Sequence, residues 1–165
     1  MMPPARLHQL LAGRADLSSL RAIVLGGSPA SPALLRAATE QLGPVVWQGY
    51  GQGEAGVIAM LAPEDIAAGH EASVGRPLPT VEVEIRDGEV WVRSPNMMVG
   101  YWNDPELTAE VLRDGWLRTR DLGHVDGDKT RYRGPEHSTC NRATSRHRVE
   151  REHVPGPQPR RVSRW

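Results

Sequence analysis

The 165-residue sequence predicts an α/β fold: part of a parallel β-α-β layer, then a β-rich region, then a tail without a core. Three observations carry that expectation. The apolar run Leu20–Leu25 ends abruptly in Gly26-Gly27-Ser28, as a strand buried on both faces does. Ser31-Pro32, then Leu34, Leu35, Ala38 and Leu42 on one face, then Gly43-Pro44, reads as a capped amphipathic helix. Val81, Val83 and Ile85 alternate with acids up to Asp87-Gly88, and Val90 and Val92 alternate beyond it, which is a hairpin with a two-residue turn.

In chain order, Leu7, Leu10 and Leu11 suggest a short amphipathic helix broken at Gly13, and Asp16–Ser19 reads as a loop. After the first strand and its helix, Val45–Trp47 forms the second strand of the β-α-β unit. The two strands are then parallel, so Gly26–Ser28 and the stretch Trp47-Gln48-Gly49-Tyr50-Gly51-Gln52-Gly53-Glu54 open at one edge, where α/β proteins bind ligands. In that stretch the strand is expected to end in a turn whose glycines take positive φ and admit a ligand to main-chain N–H groups. Tyr50 can lie against a flat heterocycle, and Glu54 can hold Mg²⁺. On spacing alone, a tight turn with a packed Tyr and a solvated Glu accounts for the stretch equally well. Across the later hairpin Ile85 should face Val90 and Val83 should face Val92, leaving Glu82, Glu84 and Glu89 as a solvated face. Asn103-Asp104-Pro105 starts a helix with Leu107, Val111 and Leu112 turned inward, and Trp116-Leu117 begins a further strand.

The composition bounds the function. The chain is 39% hydrophobic with no Phe, and its net charge of zero hides a split. Residues 129–165 hold ten Lys and Arg against three Asp and Glu, so the first 128 residues are acidic by the same margin. The single Cys140 argues against a disulfide framework and fits a reducing cytosol. No apolar run is long enough for a membrane span and the start lacks a signal-peptide core, so a cytoplasmic location is expected.

The glycine turns form part of a longer pattern. Leu25-Gly26-Gly27-Ser28-Pro29 and Gln48–Glu54 are followed by Ser73-Val74-Gly75-Arg76-Pro77, by Gly88–Pro95 with Gly100-Tyr101-Trp102, and by Asp114–Gly123. This ordered set resembles the nucleotide-binding region of AMP-forming acyl-CoA synthetases (fatty-acid–CoA ligases) of the adenylate-forming superfamily. The resemblance implies a partial nucleotide-binding subdomain over residues 1–72 and a distorted β-barrel subdomain over 73–128. It implies that Gly26, Gly27 and Ser28 border the adenine and acyl pocket, with Ala55 and Gly56 on the acyl side. Gln48, Gly49, Gly51, Gln52 and Gly53 line the nucleotide. Tyr50 lies against adenine, Asp121 holds the ribose hydroxyls, and Glu54 is the catalytic and metal-binding carboxylate for Mg²⁺. Relatives carry Thr where this chain has Gly53, so one phosphate donor is lost. Arg120 stands where peptide adenylation domains usually carry Gly, which favours a stand-alone ligase.

The implied substrates are ATP, yielding AMP, with CoA as the thiol acceptor and a carboxylic acid, a fatty acid first among them. A peptide-synthetase-type adenylation domain is the nearest alternative enzyme, and a non-catalytic remnant or interaction module the alternative class. Acyl chain length and oligomeric state are open. Relatives also carry an upstream phosphate loop and a C-terminal domain with a catalytic Lys; the only Lys here is Lys129, at a position that does not match. Weak turnover is therefore expected. Residues 129–165 contain no Leu, Ile, Met or Phe and are expected to be disordered. Pattern and periodicity fail together near residue 128, which points to a frameshift or gene truncation there. His137, Cys140, His147 and His153 match no standard zinc spacing. The tail arginines favour at most non-specific nucleic-acid contact.

Overall fold

A computed structural model of the chain describes residues 1–13, 15–126 and 131–133, the last three and Asp126 by their backbone alone. Helix α1 (Pro4–Ala12) is followed by β1 (Ile23–Leu25), α2 (Pro32–Leu42), β2 (Val46–Gln52), β3 (Gly56–Leu61), α3 (Pro63–Ala67) and β4 (Arg76–Pro77). Then come β5 (Glu82–Arg86), β6 (Glu89–Arg93), α4 (Pro105–Val111), β7 (Leu112–Arg113), β8 (Trp116–Leu122), β9 (His124–Asp126) and β10 (Arg131–Arg133).

The first sheet has the order β1-β2-β3-β4. Strands β1 and β2 pair in parallel, with Ile23 beside Val46 and Leu25 beside Gln48, as a β-α-β unit requires. The α2 crossover is capped as its sequence predicts: Ser31 accepts from the Leu34 N–H at 3.2 Å, Pro32 occupies the first turn, and Gly43 ends the helix. Two expectations are corrected. The first strand begins at Ile23 rather than Leu20, and Leu20 closes a turn through its N–H to the Leu17 carbonyl. The second strand does not stop at Trp47 but runs to Gln52, because it gains an antiparallel partner, β3.

The second sheet, β5-β6-β8-β7, is antiparallel throughout. Ile85 faces Val90 and Val83 faces Val92, the register that the alternation predicts. The turn between them has positive φ at both Asp87 and Gly88, which matches the right-handed twist of the flanking strands. Among the described residues this region is an open sheet and not a closed barrel. Helix α4 starts where Asn103-Asp104-Pro105 places it, with Asp104 Oδ1 accepting from the Leu107 N–H at 2.9 Å.

Two cores flank the first sheet. Leu7, Leu25, Leu35, Val46, Leu61 and Ile66 pack α1, α2 and α3 on one side. Ala55, Ile58, Val90, Val92, Val111 and Leu117 pack β3 against the second sheet. Strand β3 thus supplies both, which is why GVIAML carries no polar side chain. On the opposite face of the second sheet Trp91 and Trp116 are buried beneath arginines. Arg86 lies over both rings, 4.7 and 4.8 Å from their centroids, and Arg93 lies 4.8 Å from that of Trp116. Glu84 and Glu82 hold those two arginines. Glu89 departs from the expected solvated row: it is half-buried and accepts from Arg118 Nε at 2.7 Å.

At the head of the predicted tail, Arg131–Arg133 forms β10 and pairs antiparallel with β9, Tyr132 opposite Val125. The rest of the predicted tail, with His137, Cys140, His147, His153 and most of the arginines, lies outside the described residues.

Candidate functional site

The stretch around Tyr50 is a strand and a hairpin turn, not a glycine loop. Gly49, Gly51 and Gly53 do not take positive φ; Gly56 does. Their work is different. A Cβ on Gly51 would collide with the Gly56 carbonyl and lie 2.9 Å from Val57 Cα, at the point where the β2–β3 register shifts. Gly51 therefore lets the two strands approach at an irregularity that re-aims the residues beyond it. A Cβ on Gly53 would meet nothing within 4 Å.

The β-α-β edge brings the two sequence-predicted glycine segments side by side. Leu25 pairs with Gln48, so Gly26-Gly27-Ser28 leaves β1 beside Gly49, whose Cβ position is 3.5 Å from the Leu25 carbonyl. Gln48 is only 7% exposed, and its Oε1 has no hydrogen-bond partner among the described residues. A buried amide oxygen left in that state calls for a donor.

Four side chains from distant parts of the sequence form two pairs, one nested within the other along the chain. The Tyr50 hydroxyl donates to Asp121 Oδ2 at 2.7 Å. The Tyr101 hydroxyl donates to Glu54 Oε1 at 2.9 Å. Asp121 is 7% exposed, on β8, and its N–H donates to Thr119 Oγ1 at 3.1 Å. Thr119 in turn donates to the Val90 carbonyl at 2.7 Å, tying β8 to β6. Burial raises the Asp121 pKa above the usual 3.8; the Tyr50 hydrogen bond opposes the shift, and the charges of Glu89 and Glu54 add to it. Burial and the Glu54 carboxylate push the Tyr101 phenol up to about 12, so it stays a neutral donor at physiological pH.

Glu54 sits in the turn between β2 and β3 and is half-buried. Its carbonyl accepts from the Met98 N–H at 2.7 Å, and the next carbonyl, Ala55, accepts from Ser94 Oγ at 3.3 Å. Ala55 itself is fully buried in the second core, and Gly56 lies against Asn96. Among the described residues no cluster of three or more His, Cys, Asp or Glu could hold a metal by itself. One carboxylate fits Mg²⁺ only when phosphate oxygens and waters complete the shell, which is how Mg²⁺ commonly binds with nucleotides. Arg120 adopts φ 62, a conformation that favours Gly, and its guanidinium pairs with Glu110 at 2.9 Å.

The structure pairs three side chains singled out in the sequence, Tyr50 with Asp121 and Glu54 with Tyr101, and the sequence reading anticipated neither pairing. Tyr101 was visible only as part of Gly100-Tyr101-Trp102. Nothing in its spacing indicates a carboxylate 47 positions upstream.

Comparison with known proteins decides the family. The model of the AMP-binding enzyme family matches residues 1–102. The chain belongs to the AMP-binding enzymes. It is 36% identical to a long-chain-fatty-acid–CoA ligase of Yersinia pestis, over 68% of this chain and 22% of the ligase. Its fold matches that of an amide bond synthetase from Marinactinospora thermotolerans at 49% identity and TM-score 0.77, over 82% of this chain and 30% of that one. It also matches an o-succinylbenzoate CoA synthetase of Bacillus subtilis solved with ATP and magnesium, at 34% identity and TM-score 0.69, over 79% and 29% of the two chains. The chain therefore spans less than a third of the length of these relatives. No helix among its described residues is long and apolar enough to cross a membrane.

Proposed function

We propose that this chain carries part of the adenylate site of an acyl-CoA ligase. In the reaction a carboxylate attacks the α-phosphorus of ATP, pyrophosphate leaves, and the sulfur of CoA then displaces AMP from the acyl carbon. The observation that supports this reading is the pairing of Tyr50 with Asp121 and of Glu54 with Tyr101 on the continuation of β2, the strand that pairs with β1 just before Gly26–Ser28. In it, residues 1–72 supply the nucleotide edge and residues 73–128 close over it.

Each residue has a role that its surroundings allow. Tyr50 lies against adenine while its hydroxyl steers Asp121. Asp121 Oδ2 accepts from Tyr50, so the ribose hydroxyls are met at Oδ1. Gln48, with its unpartnered Oε1, accepts from the nucleotide, and Gly49, Gly51, Gln52 and Gly53 line its path. Gly26, Gly27 and Ser28 border adenine and the acyl group, with Ala55 and Gly56 behind the acyl carbon. Glu54 would hold Mg²⁺, which offsets the negative charge of the phosphates when bound. The substrate acid is a fatty acid or a related carboxylate, and the acceptor is CoA. The likeness to an amide bond synthetase favours a second reading of the acceptor alone, with an amine taking the place of the thiol.

Calorimetric titration of the full chain with a non-hydrolysable acyl-AMP mimic and Mg²⁺ tests the reading. Saturable binding that weakens in Asp121→Ala and Glu54→Ala is expected. A sample with native circular dichroism and no saturable heat overturns it.

A further inference from the structure

The Glu54 carboxylate is held from a part of the chain to which the nucleotide reading assigns no role. Tyr101 donates to its Oε1 at 2.9 Å, and the Met98 N–H donates to its main-chain carbonyl at 2.7 Å. Segment 98–101 thus fixes both the backbone and the head of one acidic residue. The segment is itself anchored. The Tyr101 N–H donates to Thr108 Oγ1 at 2.9 Å, and Thr108 donates to the Asp104 carbonyl at 2.7 Å. Tyr101 also forms a bridge with Asp104, the residue that caps α4. Gly100 has φ 153, which side chains rarely adopt, and a Cβ there would lie 3.0 Å from Thr108 Cγ2, so the chain passes close against α4. The position of the phenol is therefore set by the first turn of α4.

A glutamate in a hairpin turn has three side-chain torsions to fix. A phenol held at one carboxylate oxygen removes most of that freedom and leaves the other oxygen for a ligand. It also donates without adding charge, so the carboxylate stays negative towards a cation, which an Arg or Lys at the same place would neutralise.

We propose that Tyr101 is a positioning residue for Glu54: its hydroxyl, placed by the α4 N-terminus, orients the carboxylate towards the Mg²⁺ that accompanies nucleotide. This role rests on the proposed adenylate site, since Glu54 meets Mg²⁺ only there.

The test is calorimetric titration of the full chain with ATP, once with Mg²⁺ and once with EDTA, for wild type, Tyr101→Phe, Glu54→Gln and the double variant. The readout is the factor by which Mg²⁺ tightens ATP binding. Tyr101→Phe is expected to lower that factor roughly tenfold, the scale of one charge-assisted hydrogen bond, with ATP affinity in EDTA unchanged. In Glu54→Gln the further change Tyr101→Phe is expected to have no effect on it. An unchanged Mg²⁺ factor in Tyr101→Phe overturns the role, as does an equal loss with and without Mg²⁺, which marks packing alone. Absence of ATP binding by folded wild type overturns the adenylate site, and the Tyr101 role with it.

Discussion

The hydroxyl of Tyr50 on β2 donates to Asp121 on β8 at 2.7 Å, joining the first sheet to the second through a carboxylate that is almost wholly buried. Because burial raises the folded-state pKa of Asp121 above its unfolded value, the ionised form disfavours folding. Its penalty is present at neutral pH and fades as pH falls through the folded value towards 3.8. Asp121→Asn is therefore expected to raise the melting temperature at pH 7 while weakening adenylate binding, and the gain should shrink near pH 4. Thermal melts at the two pH values decide it; a gain independent of pH contradicts this origin. Tyr50→Phe leaves the buried carboxylate short of a donor and should cost about 1–2 kcal/mol in chemical denaturation.

Glu71 behaves in the opposite sense. It is buried in the loop after α3 and pairs with Arg36 on α2, and hydrogen bonding from its own backbone N–H, with Arg36 second, holds its pKa below the usual 4.5. Its contribution is complete above 4.5 and is lost as pH falls through the lower, folded value. The denaturant midpoint of wild type should drop below that pH, and Glu71→Gln should flatten the drop while lowering stability at pH 7. Arg36 is half-exposed, so Arg36→Met should cost only about 1 kcal/mol.

Gly75 tolerates no side chain. It has φ 87, and a Cβ there would collide with the Met60 carbonyl across the β3–β4 pairing. Gly75→Ala should destabilise by about 3 kcal/mol or prevent folding, through strain and displacement of β3 together. Loss of cooperative unfolding, read by denaturation, is the expected sign. An alanine variant as stable as wild type would show that the strand pair separates easily.

Gly53 is the converse. A Cβ at this position meets nothing within 4 Å, and its φ is outside the glycine-favouring region. Gly53→Thr should leave the melting temperature within about 2 °C. If the turn faces the phosphates, the added hydroxyl should tighten Mg²⁺–ATP several-fold, by about one neutral hydrogen bond. Calorimetry on the variant gives the answer directly, and unchanged affinity would place the phosphates elsewhere.

Local chemistry was legible in the sequence where one short segment decided the outcome. Ser31-Pro32 and Gly43 bounded α2, Asp104-Pro105 started α4, and Asp87-Gly88 set the pairing of Ile85 with Val90. The end of the second strand was misread because glycines signal a turn, whereas Gly51 here accommodates a neighbouring strand. That neighbour, β3, shows no alternation because it feeds two cores, so periodicity could not mark it. The ordered motifs singled out Tyr50, Glu54 and Asp121 as candidates. The pairing of Tyr50 with Asp121 and of Tyr101 with Glu54 was not legible, since hydrogen bonds spanning 71 and 47 positions leave no trace in spacing. Glu89 looked solvated by alternation and is instead held by Arg118 on the adjacent strand.

The arginine-covered tryptophans give the molecule an optical property. Trp91 and Trp116 are shielded indoles with a guanidinium at the ring, Trp47 lies on β2, and Trp102 is 91% exposed. Among the described tryptophans, an ionic quencher in solution will reach Trp102 first and the shielded pair only when the second sheet opens. With Trp165, which lies outside the described residues, replaced by Phe, the fluorescence of the unlabelled chain thus separates motion at the rim beside Tyr101 from loosening of the sheet that holds Asp121.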